Sequence, residues 1–377
     1  MKFTSTTLVF VVSALLALGL VMLFSATMFH RSDGLWSAQF LGCCIGVVVC
    51  LGAAMSDYQL LKKVSVPALV LALLMLVAVM IPGIGLERNG ARRWLQLPGT
   101  TFQPSEFAKL AVIIALAHYC ERKGRRMGTF KNGLLIPGMV LGLFLGLIFI
   151  EPDWGATALL ATVCGLMLFL AGTKLRFIVP PVITLGAAGV FLLSQNTLRL
   201  NRITSWLDPE GTKQGVGYQA WQSLIALGSG GTTGLGLGNG RQKLGFVPEQ
   251  QTDFIFSVIG EELGLVATMS VVVGFVLFLV CGAFIAMRSR DFFGFLLASG
   301  LTFLISLQGF INIGVTSTLP NKGLPLPFIS RGGTNLVAML FCVGVLLSIA
   351  RFANQEGRSK ADKLKDSGSY SPFRAGT

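Results

Sequence analysis

The chain has 377 residues, of which 53% are hydrophobic and only 12% are charged. A soluble domain would carry about twice that charged fraction, so the composition excludes an ordinary soluble protein and indicates a membrane protein. The net charge is +13, but no soluble basic domain accompanies it. We therefore interpret the charge as contact with the inner membrane leaflet and expect no nucleic-acid partner.

Repeated apolar runs predict an all-α polytopic fold with about ten transmembrane helices. Placing both termini in the cytoplasm puts most of the 30 lysines and arginines on the inner side, as the positive-inside rule requires. The seven cysteines lie in or beside these runs, and only two histidines are present, so neither disulfides nor zinc are expected. The predicted spans are residues 8–28, 38–54, 67–81, 106–118, 134–150, 155–171, 177–193, 263–287, 293–314 and 335–349.

We expect residues 1–352 to form the membrane domain and residues 353–377 to form a polar, disordered cytoplasmic tail. One large extracytoplasmic loop, at about residues 194–253, separates helices seven and eight, and long loops of this kind are commonly functional. The glycine run at residues 228–240 predicts a tightly folded part of this loop with positive φ angles.

Cations on the predicted outer side are not expected from the positive-inside rule. Two explanations account for them. Arginine matches phosphate oxygens with bidentate geometry, so an anionic headgroup is one reason. Pairing with nearby carboxylates, among them Glu106, is the other. The candidates for substrate binding, with one neighbouring aromatic residue, are Arg92, Arg93, Trp94, Lys109, Arg241 and Lys322.

The stretch PEQQTDFIFSVIGEELG at residues 248–264 places Asp253, Glu261 and Glu262 at the head of a long apolar run. Carboxylates at a membrane edge are costly and serve chemistry, transport or structural pairing. Asp253 could cap the following helix or act as a general base, and we expect Glu261 and Glu262 to form buried pairs. One helix over residues 254–287 would be about 51 Å long, against an apolar core of about 30 Å, which predicts a break near Gly264.

Two further polar residues, Gln308 and Asn312, are four apart on one face of the ninth span. We expect them to tie helices together rather than to touch substrate.

Several motifs together resemble the SEDS family (FtsW, RodA and SpoVE), in the family's order and over nearly the whole membrane region. They are NGARRW, FQPSEFAKL, EPDWGATA, the stretch 217–264 that ends in TDFIFSVIGEELG, and NIGVTSTLPNKGLPLPFISRGG. The NKGLPLP form and the QKL stretch are more similar to the FtsW branch than to RodA. Glu151 departs from the family pattern, because a glutamine is common there.

The resemblance implies a peptidoglycan glycosyltransferase of the bacterial cytoplasmic membrane that polymerises lipid II on the extracytoplasmic side, with Asp253 as the essential acid. It also implies a class B penicillin-binding transpeptidase, other membrane proteins of the division complex and membrane lipids as partners. In this mechanism Asp253 takes the proton of the acceptor hydroxyl, and outer cations neutralise the leaving pyrophosphate. We also expect a groove that opens to the lipid for the polyprenyl tail.

Three alternatives stay open: a lipid II flippase, an elongation-type polymerase similar to RodA, and a non-catalytic scaffold. No cofactor is required by these residues. A divalent cation could assist, but no ligand cluster in the sequence demands one.

Overall fold

The structure, a computed structural model, describes residues 1–27, 35–88, 91–97, 100–194, 210–213, 215, 217–240, 252–317 and 324–368. Within these ranges it has eleven α-helices and one small sheet. A 3-10 helix (Gly124–Gly128) and a π-helix (Lys131–Leu135) lie between the fourth and fifth α-helices. The α-helices are α1 (Lys2–Thr27), α2 (Leu35–Met55), α3 (Leu60–Met80), α4 (Pro104–Lys123), α5 (Ile136–Ile150), α6 (Trp154–Leu170), α7 (Leu175–Ser194), α8 (Tyr218–Ser229), α9 (Ile255–Met287), α10 (Phe292–Ser317) and α11 (Gly333–Gly368).

Each predicted span coincides with one helix, namely α1 to α7 and α9 to α11. In the described part of the chain, 6 helices are long and apolar enough to cross a membrane, and shorter apolar helices cover parts of α2, α6 and α7. The remaining helix, α8, belongs to the long loop predicted between the seventh and eighth spans. The prediction of an all-α polytopic membrane protein is confirmed.

A small antiparallel sheet, which the sequence analysis did not predict, lies between α3 and α4. Its strands are β1 (Gly85–Arg88), β2 (Ala91–Leu97) and β3 (Thr100–Phe102), in the order β1-β2-β3. The chain between β1 and β2 reads Asn-Gly, a dipeptide typical of hairpin turns. These strands are short and lie in a polar connection that has no long alternating pattern, so the sequence did not predict them.

The interior of the bundle is built around α4 and α10. Helix α4 packs against α3, α6 and α10 and is buried along most of its length. Exposed apolar side chains instead cover the outer faces of α2, α3, α5 and α7. A helix enclosed in this way can carry ionisable side chains only if they are paired inside the protein.

Helix α11 continues to Gly368, so residues 353–368, which we expected in a disordered tail, are helical. The stretch QEGRSKADKLK contains good helix formers and no proline, which accounts for the continuation. Residues 369–377 lie outside the described ranges, and the division of the chain at residue 352 stays a prediction.

Candidate active site

The long apolar helix that follows Asp253 is broken where its length predicted a break. Gly264 has φ 75° and ψ −169° inside α9, a conformation that only glycine adopts without strain. The break leaves an outer segment at residues 255–263 and a membrane segment at residues 265–287. It also interrupts the helical ladder, so carbonyls before it need other hydrogen-bond partners.

The glycine run supplies those partners. The amide of Leu235 donates to the carbonyl of Glu261, and the amide of Gly236 donates to the carbonyl of Glu262, both at 2.9 Å. Gly234 has φ 79°, and a Cβ added there would lie 2.2 Å from the carbonyl oxygen of Glu262. The run is therefore the tightly folded, positive-φ loop that was predicted, and its backbone is docked on the break of α9.

Glu261 and Glu262, at the end of the outer segment, are both buried. Glu262 Oε2 accepts hydrogen bonds from the Ser25 hydroxyl of α1 at 2.6 Å and from the Gly238 amide at 3.2 Å. These contacts join α1 and the glycine run to α9. The sequence analysis expected these glutamates to form buried pairs, and their burial agrees with it. Arg241, an arginine of the same long loop, lies outside the described residues.

Asp253 is partly buried and lies in the turn just before α9. Phe254 occupies the N-cap position of α9, and its side chain makes no capping hydrogen bond. A capping role for the neighbouring Asp253 stays a prediction. The main chain at this point is held from two sides. Ser330 Oγ donates to the carbonyl of Thr252, and Asn312 Nδ2 donates to the carbonyl of Asp253 at 2.9 Å. A carboxylate on a fixed backbone at a partly accessible position suits general-base chemistry.

Asn312 and Gln308 of α10 hold the chain that follows that helix. Asn312 Nδ2 also donates to the carbonyl of Leu324 at 2.8 Å, and Gln308 Nε2 donates to the carbonyl of Pro325 at 2.9 Å. Both side chains are buried. One asparagine therefore links the turn at Asp253 to the segment after α10, through main-chain carbonyls on each side.

Residues 324–335, which we call the bridging segment, connect the turn before α9 to the start of α4. Ser330 contacts the carbonyl one residue before the aspartate. Thr334 Oγ1 donates to a carbonyl of β3 at 3.1 Å, and Asn335 Nδ2 donates to Glu106 Oε2 at 3.0 Å. The bridging segment thus joins the turn at Asp253 to β3 and to Glu106 of α4 through hydrogen bonds.

Glu106 and Lys109 form a buried ion pair at the start of α4. Lys109 Nζ lies 2.9 Å from Glu106 Oε2, and the lysine side chain is 1% exposed. This corrects the expectation that Lys109 meets an anionic headgroup, because a spacing of three places both residues on the same enclosed face of α4. Glu106 keeps the supporting place that the sequence analysis assigned to it.

The cations of β2 have different surroundings. Arg92 Nε lies 3.0 Å from Glu87 Oε2, and both side chains are exposed. Arg93 Nε donates to the carbonyl of Glu151 at 2.8 Å, and its Nη2 donates to the next carbonyl along the chain. Trp94 is partly buried and lies opposite β1 in the sheet. Arg92 therefore stays at the surface, whereas Arg93 fastens the sheet to the turn between α5 and α6.

That turn contains two carboxyl groups, Glu151 and Asp153, which the sequence analysis did not place among the candidate site residues. Asp153 Oδ1 accepts from the Ala156 amide at 3.1 Å and so caps α6. Glu151 is 2% exposed, and neither of its carboxyl oxygens has a hydrogen-bond partner among the described residues. Burial, and then the negative charge of Asp153, raise the pKa of Glu151 to about 8 against the opposing effect of Arg93. The acid-proline-acid run before an apolar helix is the signal that could have marked this turn.

An apolar cavity of about 530 Å³ lies between α2, α3, α4 and α11. Leu41, Ile45 and Val64 line it and are about half exposed, so it opens sideways toward the lipid. At another part of its wall lie Gly333 and Thr334 of the bridging segment. The expected lipid-facing groove is present, and it adjoins the segment that contacts the turn at Asp253.

Two predicted substrate-binding residues, Arg241 and Lys322, lie outside the described residues. Within the described ranges, no three His, Cys, Asp or Glu side chains converge as a metal-ion site. The use of a divalent cation therefore stays a prediction.

Known proteins of one family resemble this chain over almost its full length. Residues 5–355 match the family described as cell cycle protein, FtsW/RodA/SpoVE. The chain is 42% identical over 351 residues to the probable peptidoglycan glycosyltransferase FtsW of Trichlorobacter lovleyi, covering 91% of this chain and 92% of that protein. It is 38% identical to stage V sporulation protein E of Bacillus subtilis, covering 92% and 96%.

Solved structures show the same relationship. A chain from a peptidoglycan synthase complex that coordinates polymerization and crosslinking has a TM-score of 0.79 and 27% identity, covering 92% of this chain and 98% of that one. The rod shape determining protein RodA of Thermus thermophilus has a TM-score of 0.68 and 26% identity, covering 91% and 95%. The motifs, the fold and these relatives agree, and the chain belongs to the FtsW/RodA/SpoVE family.

Proposed function

We propose that this chain is a peptidoglycan glycosyltransferase that polymerises lipid II into β-1,4-linked glycan strands during cell division. The enzyme class agrees with its relatives, several of which are named probable peptidoglycan glycosyltransferase FtsW. The observation that carries the proposal is the setting of Asp253. This residue matches the family's essential acid, and its backbone is held by Asn312 beside the outer segment of α9.

Asp253 acts as the general base in this proposal. The donor sugar carries an α-linked lipid pyrophosphate and the product is β-linked, so one in-line displacement with inversion accounts for the stereochemistry. Asp253 takes the proton from the 4-hydroxyl of the acceptor while that oxygen attacks the anomeric carbon and the pyrophosphate leaves. General-base catalysis of this kind contributes about 10²–10⁴-fold.

The leaving pyrophosphate needs positive charge rather than a proton, because it is a good leaving group. Arg92 is the best supported candidate among the described cations, since its guanidinium is exposed and its ion pair is with the exposed carboxylate of Glu87. Arg93 acts beside it by holding the sheet in place. Arg241 and Lys322 remain candidates by the same electrostatic argument, whereas the burial of Lys109 removes it from the set.

The apolar cavity suits the polyprenyl tail of the substrate. It is lined almost entirely by apolar side chains of α2, α3, α4 and α11, and burial of a hydrocarbon chain is favourable in such a groove. The bridging segment runs from this cavity to the turn at Asp253. A lipid-linked sugar could therefore rest with its tail in the cavity and its headgroup near the aspartate.

We further propose that the reaction takes place on the extracytoplasmic side and together with a class B penicillin-binding transpeptidase. The sidedness is supported by the distribution of lysine and arginine along the chain. The partner is supported by the likeness to a chain of a synthase complex that coordinates polymerization and crosslinking. Other membrane proteins of the division complex are expected partners.

Purified protein with its cognate transpeptidase, incubated with labelled lipid II, tests the proposal. Asp253→Asn keeps the size of the side chain but removes the basic oxygen, so it should insert, bind its partner and make no glycan strands. Asp57→Asn is a matched control, because this carboxylate accepts from the Gln59 amide at 2.9 Å on the predicted cytoplasmic side. Normal polymerisation by Asp253→Asn would contradict the proposal that Asp253 is the general base. Loss of lipid II translocation in liposomes, with polymerisation intact, would favour a flippase.

A further inference from the structure

The predicted cytoplasmic side carries a basic surface that the proposed reaction does not use. It is formed by the connection between α4 and α5 and by the start of α7, and we call it the two-loop surface. Residues 122–135 and 172–177 contain no aspartate or glutamate. The exposed cations of this surface are Arg122, Arg125, Arg126, Lys131, Lys174 and Arg176.

The two parts of this surface are packed against each other. The rings of Phe130 and Phe177 meet edge to face, with centroids 5.5 Å apart. Thr173 Oγ1 donates to the carbonyl of Gly133 at 3.4 Å, and the guanidinium of Arg176 lies 4.9 Å from the centre of the Phe177 ring. The cations from two separate connections therefore form one surface rather than two independent loops.

One other cluster of charges on this side is neutralised within the protein. Lys62 Nζ lies 2.7 Å from a carboxylate oxygen of Glu121 and 3.1 Å from one of Asp291. Asp291 also accepts from the Tyr58 hydroxyl. Among the described residues, none of the ion pairs includes a cation of the two-loop surface. The two-loop surface is therefore a cluster of six exposed cations without an ion pair among the described residues.

Apolar side chains border these cations. Phe130, Leu135, Leu175 and Val179 are each about half exposed, and they continue onto the lipid-facing sides of α5 and α7. Basic groups beside exposed hydrocarbon match a phospholipid, which has an anionic headgroup above acyl chains. We propose that the two-loop surface binds an anionic phospholipid of the inner leaflet. The positive charges of the arginine and lysine side chains attract the phosphate, and the acyl chains lie along α5 and α7.

Lipid retention by the purified full-length protein tests this site. The protein is equilibrated with mixed micelles of phosphatidylglycerol and phosphatidylcholine, and the bound lipids are counted by native mass spectrometry. The variant Arg125→Gln/Arg126→Gln/Lys131→Gln/Lys174→Gln should lose at least about ten-fold in phosphatidylglycerol affinity. It should keep its weak binding of phosphatidylcholine. Binding by the unmodified protein should also weaken with added salt.

Two further variants make the result specific to this surface. Lys63→Gln/Arg288→Gln removes two exposed cations outside it and should leave retention unchanged, whereas Arg125→Lys/Arg126→Lys should keep most of it. Equal loss in the Lys63/Arg288 control would mean a general charge effect and would overturn the site. Undiminished retention in the four-substitution variant would do the same. Binding of a polyglutamate peptide without binding of phosphatidylglycerol would replace the lipid by an acidic protein segment and also reject the proposal.

Discussion

The start of α4 and the turn before α9 both bring acidic residues to the predicted outer side, and the protein holds them in different ways. At α4, Glu106 is buried with Lys109, and Asn335 donates to the same carboxylate. Before α9, Asp253 is partly buried, and the hydrogen bonds that hold this turn go to main-chain carbonyls. One cluster is maintained by charge pairing and the other by backbone contacts.

The difference follows from the cost of burying charge. An ionised group in a water-free interior must be paired, and removal of one partner leaves the other uncompensated. A partly accessible carboxylate does not carry that cost, so it can change its protonation during a reaction. We therefore expect the loss of one partner of the α4 pair to destabilise the protein, whereas the turn before α9 is where the proposed mechanism places its general base.

Breaking the α4 pair should have the largest effect on stability. Lys109→Met leaves Glu106 buried without its cation and should cost about 3–5 kcal/mol, which would appear as poor accumulation and a much lower Tm in detergent. Adding Glu106→Gln should recover a large part of the loss, because the uncompensated charge is removed. A stable Lys109→Met protein that fails only to bind lipid II would instead restore Lys109 to the substrate site.

At the break of α9, we expect a backbone substitution in the glycine run to be the most damaging change. Gly234→Ala places a Cβ 2.2 Å from the Glu262 carbonyl at a φ of 79° and should cost about 1–3 kcal/mol, with loss of polymerisation. Gly228→Ala is the matched control, because a Cβ there meets nothing within 4 Å. Thermal unfolding and glycan synthesis would be measured on both variants. Equal behaviour of the two proteins would mean that the docked glycine run does not support the site.

The sequence was sufficient for the features that depend on composition and length. Apolar runs located each membrane helix, and the excess length of the run after Asp253 located the break at Gly264. The tightly folded glycine run was predicted in a similar way, because a dense run of glycines indicates positive φ angles. Its contact with the break of α9 was not predicted.

Features that depend on distant partners could not be predicted in this way. Asn335 and Glu106 are hydrogen-bonded although they lie far apart in the chain, and no local pattern joins them. The burial of Lys109 depends on α4 being enclosed by other helices, which an isolated span does not reveal. The contacts and burial of single residues in the outer loops therefore had to be read from the structure, even where the family motifs were clear.

Glu151 adds a third kind of carboxyl group on the predicted outer side, one that is buried and has no hydrogen-bond partner among the described residues. Its pKa is raised from 4.5 to about 8, so between these values the folded protein keeps a proton that the unfolded chain releases. Stability should therefore fall as the pH rises from about 4.5 to about 8, by up to a few kcal/mol. Glu151→Gln carries no titrating group and should remove that slope, giving a Tm above the unmodified protein at pH 9 and close to it at pH 5. Parallel Tm curves across this range would show that Glu151 is already ionised in the folded protein.

Substitution of Arg92 should have the smallest effect on stability. It should nevertheless lower activity, so the two effects can be measured separately. Exposed ion pairs contribute about 0–1 kcal/mol, and the pair with Glu87 is exposed on both sides, so Arg92→Ala should leave the Tm almost unchanged. If the guanidinium neutralises the leaving pyrophosphate, the same variant should lose about ten-fold or more in glycan synthesis, as expected for a hydrogen bond to a charged group. Glu87→Gln is the matched control, because it breaks the same ion pair but keeps the cation, and it should polymerise normally. Equal activity of Arg92→Ala and Glu87→Gln would contradict the assignment, since both variants break the same ion pair and only Glu87→Gln keeps the guanidinium.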